Sequence, residues 1–184
     1  MSVIYLVRHA HVIWNPDENR PLSPQGFAAT AQVADALEHF PITAIVSSPA
    51  RRARQTIEPL AERLHLPIQE IDDLAERRLS SEPVEDFLAA VRATWDDPSF
   101  IWPGGESNME AQRRGVAVIE ELAHKGSTEH IVVATHGNLL ALILQRYDTS
   151  VGFAFWQALT MPDIYRLEIS ADGKTQIQRL WVYV

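Results

Sequence analysis

Val3-Ile4-Tyr5-Leu6-Val7 runs straight into Arg8-His9, and Ile131-Val132-Val133-Ala134 runs into Thr135-His136-Gly137. Each apolar run is short and continuous and turns polar at once, the pattern of a buried strand in a parallel sheet. Ligands of open α/β sheets bind beyond the carboxyl ends of their strands. Two histidines in that position, one beside an arginine, can meet at a single site, and the set suits chemistry on phosphate. Phosphoryl transfer needs a nucleophile, cations around the equatorial oxygens and an acid for the leaving oxygen. A neutral imidazole can attack phosphorus and carry it as phosphohistidine. The planar fork of arginine donates paired hydrogen bonds to phosphate. A carboxylic acid can protonate the leaving oxygen where its surroundings keep it protonated. His9, His136, Arg8 and Arg52 supply the first parts, and Glu70, Asp72, Asp73, Glu76 and Glu82 are candidate acids.

The elements that must position these residues are readable in outline. Val3 to Val7 is the first strand. Ser23 is a candidate N-cap with Pro24 at the first helical position, and Phe27, Ala31, Ala34 and Leu37 recur at helical spacing to about Glu38, where Pro41 follows. Ile42 to Val46 is a second strand. Ser48-Pro49 signals a helix to about Leu64, which Pro59 should kink or shorten. Ile68 to Ile71 is a third strand, and Asp72 to Glu82 a polar loop. Helices follow over Pro83 to Trp95 and Glu106 to His124, with Gly126 as a stop. Ile131 to Ala134 is a strand and Leu139 to Gln145 a buried helix. Tyr165, Leu167 and Ile169, then Ile177, Leu180, Val182 and Val184, alternate around Ala171-Asp172-Gly173-Lys174, a hairpin signal. The expected architecture is a three-layer α/β/α sandwich with a mostly parallel central sheet and an antiparallel C-terminal hairpin, in one domain over 1–184.

The composition narrows the functions. The chain has 184 residues, 46 % hydrophobic and 22 % charged, ordinary for a globular protein. It has no cysteine, which excludes disulfides, thiolate catalysis and Cys-based zinc sites. A net charge of −8 argues against a nucleic-acid surface. Against that background Arg51, Arg52 and Arg54 form a local basic cluster, either an anion receiver or a solvated helix face. No run approaches the ~20 apolar residues of a membrane span, and the first residues lack a signal-peptide pattern; a cytoplasmic protein without membrane contact is expected. His11, His39, His65, His124 and His130 lack metal-ligand spacing and read as surface residues.

Seven motifs, in order, resemble those of the histidine phosphatase superfamily, the phosphoglycerate-mutase-like proteins. They are Leu6-Val7-Arg8-His9-Ala10; Trp14-Asn15; Pro21-Leu22-Ser23-Pro24-Gln25-Gly26; Ser47-Ser48-Pro49-Ala50-Arg51-Arg52-Ala53-Arg54-Gln55-Thr56; Leu74-Ala75-Glu76; Pro103-Gly104-Gly105-Glu106-Ser107; and Thr135-His136-Gly137. The resemblance implies that His9 attacks phosphorus and that Arg8, Arg52 and His136 hold its oxygens, with Asn15 and Gly137 beside them. It implies that Glu76 protonates the leaving alkoxide and then activates water. Arg52, rather than Arg51, takes the phosphate-binding place. No metal or cofactor is needed, because cationic and donor side chains replace one.

The chain departs from that pattern at Ala10 for the usual Gly, at Val12 where many members carry Thr or Ser, at His11 for an acidic or amide residue, and at Ala50 for Leu. Only 59 residues separate Glu76 from His136, whereas the family's mutases tend to be longer there. A short insert favours an open site that water can reach, hence a phosphomonoesterase acting on a small phosphorylated metabolite. Gly137-Asn138 and Trp14-Asn15 also resemble mutase motifs, so a primer-dependent phosphoglycerate mutase is the alternative reading. A non-catalytic module that captures phosphate esters is a third. Trp95, Phe100 and Trp102 lie where a cover segment belongs and could line a leaving-group pocket or pack in the core. Trp156, Trp181 and Tyr183 could serve the core or a homodimer contact.

Overall fold

A computed structural model describes residues 2–17, 19–125 and 129–181. Gly126, Tyr183 and the last two residues of the alternating run, Val182 and Val184, lie outside them. The elements follow in the order β1 (Ser2–Arg8), α1 (Pro24–Leu37), β2 (Ala44–Ser47), α2 (Arg51–Leu64), β3 (Ile68–Glu70), a 3-10 turn (Asp72–Leu74), α3 (Phe87–Asp96), α4 (Asn108–Lys125), β4 (His130–Thr135), α5 (Gly137–Tyr147), α6 (Phe153–Ala158), β5 (Asp163–Ile169) and β6 (Thr175–Arg179). One six-stranded sheet runs β3-β2-β4-β1-β5-β6. β3, β2, β4 and β1 are mutually parallel, and β5 and β6 add on antiparallel. The expected three-layer sandwich is present, with α1 and α2 on one face and α4 and α5 on the other.

The alternation of β1 builds both layers. Val3, Tyr5 and Val7 point into a core with Val33, Leu37, Ile57 and Leu60 of α1 and α2. Ile4 and Leu6 point into the other core, with Ile119 of α4 and Leu139 to Leu144 of α5. A strand buried on both faces has to be apolar throughout, as the sequence of β1 is. Trp181 packs into the first core.

Several boundaries differ from the sequence reading, each for a local reason. On α1 the buried stripe is Gly26, Thr30, Val33, Ala34 and Leu37, while Phe27 and Ala31 face outward. Ser23 caps this helix by accepting from the Gly26 N–H at 3.0 Å. A Cβ on Gly26 would lie 2.2 Å from the His11 carbonyl oxygen, so the helix start can sit against the loop after β1 only with glycine there. α2 begins at Arg51 rather than Ser48 and runs unbroken through Pro59, with Ile57, Leu60 and Ala61 buried around it. α3 begins at Phe87, because Asp86 caps it through the Ala89 N–H. α4 begins after Ser107, whose backbone N–H and hydroxyl pair reciprocally with Glu110, a capping box. The short α6 was not foreseen; six residues are too few for a periodic signal. The hairpin turn is where Asp172-Gly173 predicted it, with Gly173 at φ +80°.

Candidate active site

The strand order brings the site together. β4 lies between β2 and β1, in register Arg8 opposite Thr135 and Ser47 opposite Ala134. Each ladder continues one residue further, His9 N–H to Thr135 O at 3.1 Å and Ser48 N–H to Ala134 O at 2.9 Å. His9, Ser48 and His136 therefore leave three adjacent parallel strands at the same sheet edge.

His9 is 7 % exposed. Its Nδ1–H donates to the Ala10 carbonyl at 2.8 Å, since a carbonyl only accepts. In the neutral ring the other nitrogen, Nε2, then carries the free lone pair. Burial above all, with Arg52, Arg8 and Arg20 adding repulsion, pulls its pKa down to about 3. The imidazole is thus unprotonated at neutral pH, as a nucleophile must be. The loop that carries it is fixed by the Gln-Thr pair of α2: the Ala10 N–H donates to Thr56 Oγ1 at 2.9 Å and the Leu22 N–H to Gln55 Oε1 at 3.0 Å.

His136 is 1 % exposed, and its ring meets that of His9 edge-on with centroids 5.3 Å apart. Arg52 donates to His136 Nδ1 at 3.2 Å, so the proton of the neutral ring sits on Nε2 and is donated to Ser48 Oγ at 2.8 Å. Burial, then His9 and Arg52, hold the His136 pKa well below its ordinary value. Ser48 is therefore a site residue and not the cap that opens α2. Its Ser-Pro sequence signalled a helix start, and only the fold shows it against His136.

Arg8 is fixed from the antiparallel side of the sheet. Its guanidinium donates to the carbonyls of Leu159 and Thr160 at 2.8 and 3.3 Å. That loop is held by Asp163, fully buried, which accepts from the Thr160 N–H at 2.9 Å and from Arg179 through both carboxylate oxygens. Gly137 lies under the same guanidinium: a Cβ there would sit 2.8 Å from Arg8 Nε. The glycine of the Thr-His-Gly motif thus leaves room for the Arg8 guanidinium, which a methyl group there would push aside.

Glu76 stands at the N-terminus of α5. Its Oε2 accepts from the Asn138 N–H at 3.0 Å, and its Oε1 from the Leu139 and Arg77 N–H groups, both at 2.9 Å. The segment before it is tied down by Thr135, whose hydroxyl donates to Leu74 O at 2.8 Å, and by Arg114. Arg114 binds Glu106 with both ends of its fork and donates to the Asp73 and Ala75 carbonyls. The Gly-Gly-Glu-Ser motif acts here, through Glu106 and Arg114, as a brace under the segment that carries Glu76. The other candidate acids are not in this position; Glu70, for one, pairs with Arg54 on the surface.

Glu76, Arg52, Ser48 and His136 line a cleft of about 610 Å³. Asn15 lies on its wall, exposed, with its side-chain oxygen accepting from the Asp17 N–H. Arg20, Arg77 and Arg78, also on the wall, were not singled out from the sequence, although Glu76-Arg77-Arg78 marks the last two. Arg77 is 5 % exposed and its Nε and one terminal nitrogen meet no hydrogen-bond partner among the described residues. Trp14, 76 % exposed, is the aromatic on this wall. Trp95 and Trp102 instead donate their indole N–H groups inside the fold, to Asn138 Oδ1 and Ala90 O. Arg51 faces solvent. His11 and His130 are half-buried rather than surface residues, bonded to Ser23 and Tyr5. Among the described residues no group of three or more His, Asp or Glu is arranged to hold a metal, and no helix is long and apolar enough to cross a membrane.

Residues 4–182 match the profile of the histidine phosphatase superfamily (branch 1). An uncharacterised phosphatase of Bacillus subtilis (strain 168) is 28 % identical over 150 residues, covering 78 % of this chain and 76 % of its own length. A metal-independent phosphoserine phosphatase of Arabidopsis thaliana is 29 % identical over 165 residues, covering 79 % and 68 %. The fold is that of a mycobacterial glucosyl-3-phosphoglycerate phosphatase solved with VO3, at TM-score 0.81 and 21 % identity over 98 % of both chains. With two histidines and two arginines gathered at one sheet edge and a match along nearly its whole length, the chain belongs to the histidine phosphatase superfamily.

Proposed function

We propose that the protein hydrolyses a small phosphorylated metabolite by forming phosphohistidine on His9 Nε2, without a metal. The observation that carries the reading is the His9 hydrogen bond to its neighbour's carbonyl, which leaves Nε2 unprotonated on a ring that feels the charges of Arg52, Arg8 and Arg20. Nε2 attacks phosphorus, the bond from phosphorus to the ester oxygen breaks, and the leaving oxygen takes a proton from Glu76. Water then gives a proton back to Glu76 and attacks, the N–P bond breaks, and phosphate leaves. Arg8, Arg52 and His136 hold the transferring oxygens, with the Gly137 N–H at the start of α5 and Asn15 from the loop. Donors fixed in advance cost no reorganisation when charge develops. The phosphatases among the relatives, one of them metal-independent by name, support the reading.

The test is phosphate release from an aryl phosphate in excess EDTA, with acid-quenched labelling of the protein. Turnover that survives EDTA, with label lost in His9→Ala, is the expected result. Isomerisation of 3-phosphoglycerate that depends on a bisphosphoglycerate primer and releases no phosphate would make the protein a mutase. Tight binding of phosphate esters without turnover would make it a capture module.

A further inference from the structure

Asn138, of the Gly137-Asn138 pair, turns its side chain inward and is 4 % exposed. Its Oδ1 accepts from the Trp95 indole N–H at 3.2 Å, and its Nδ2 donates to Asn108 Oδ1 at 3.2 Å. Asn108 Nδ2 donates in turn to Thr94 O at 2.9 Å. Asn108 and Thr94 are each 1 % exposed. The chain of bonds joins α3, the first residue of α4 and the first turn of α5. That same turn presents the Asn138 and Leu139 N–H groups to Glu76. These are orphan donors of a helix start, free to hold a carboxylate only while the turn stays in place.

We propose that Asn138 is a positioning residue for the proton donor: its side chain, bonded to Trp95 and Asn108, anchors the turn whose N–H groups orient the Glu76 carboxyl group, which donates in its protonated form. The proposal rests on the reading of Glu76 as the acid. It gives α3, the segment between the acid and the second histidine, a direct mechanical part in catalysis. A buried amide with its hydrogen bonds satisfied on both ends has one low-energy orientation, which is what a support needs. The nucleophile is supported separately, through Thr56 and Gln55 of α2, so loss of the anchor should spare the attack of His9 and impair only protonation.

That separation supplies the test. An aryl phosphate with a stable leaving anion needs little protonation, whereas an alkyl phosphate depends on the acid. Turnover of p-nitrophenyl phosphate and of an alkyl phosphate is measured for the wild type, Glu76→Gln, Asn138→Ala and Asn138→Ala/Glu76→Gln. Asn138→Ala should lose about tenfold or more on the alkyl ester and about threefold or less on the aryl ester. On the Glu76→Gln background its effect on the alkyl ester should vanish, because both changes act on one group. Trp95→Phe, which removes only the indole donor, should show the same split more weakly, and its melting temperature guards against a folding defect in Asn138→Ala. Equal losses on both esters, or a full additional loss in the double variant, would overturn the proposal. If Glu76→Gln itself affects both esters equally, the acid reading fails and the anchor with it; if only Asn138→Ala and Trp95→Phe lack the split, the acid reading stands and the anchor fails.

Discussion

β4 carries a histidine at each end, and the two have different fates. His130 opens the strand and His136 follows its last residue. Burial lowers the pKa of both. At the amino end His130 meets the Tyr5 hydroxyl at 2.9 Å, with Arg166 and Glu168 nearby on β5. At the carboxyl end His136 meets Arg52, Ser48 and the ring of His9, with the start of α5 immediately behind it. A perturbed histidine therefore does not make a site by itself. The carboxyl edge of a parallel sheet does, because there each strand hands its next residue to the same place and helix starts point N–H groups at it.

Substitutions at the two ends of the parallel strands should differ widely in their effects. His9→Ala should abolish phosphate release, a loss of roughly 10³-fold or more as for other lost nucleophiles, while His130→Gln should leave turnover within about twofold; steady-state assays of both check this. Substantial turnover in His9→Ala would remove the phosphohistidine reading. Arg52→Ala should cost about 10²-fold or more in kcat, since it removes a donor to the transferring oxygens and the partner of His136 Nδ1. Gly137→Ala should cost about 10²-fold by pushing the Arg8 guanidinium from its place, with melting temperature little changed; a crystal structure of the variant with Arg8 unmoved would refute the cause.

The smallest effect is on stability. In the unfolded chain His9 takes up a proton as pH falls below its ordinary 6.5, whereas in the fold it stays neutral down to about 3. The unfolded state binds more protons throughout that window, so stability falls as pH falls, by up to about 1.4 kcal/mol per unit for each such histidine. Urea midpoints at pH 6.5 and 4.5 should differ less in His9→Asn than in the wild type. An equal slope in both would show that His9 does not carry that sensitivity.

The residues that the fold gathers at the site were legible because each is a residue type at a fixed place along the chain. His9, Arg8, Arg52, Glu76 and His136 each followed from a motif, and the strands that carry them from apolar runs with no other use. Local signals also placed the cap at Ser23 and the turn at Gly173. What escaped were roles set by neighbours distant in sequence. Ser48 reads as a helix opener until β2 is laid beside β4. Trp95 reads equally as a pocket wall or a core residue until its indole meets Asn138. Phe27 fits a helical stripe, but the facing layer selects Gly26 and Val33 instead.

Residue types and hydrophobic periodicity suffice to show which groups could react and which runs would be buried, because both are local properties. Which nitrogen of His136 carries the proton, which carbonyls restrain Arg8 and which N–H groups hold Glu76 are settled by contacts between distant segments. Those depend on β4 inserting between β1 and β2, an order that no local pattern encodes and that the packing of two helical layers selects.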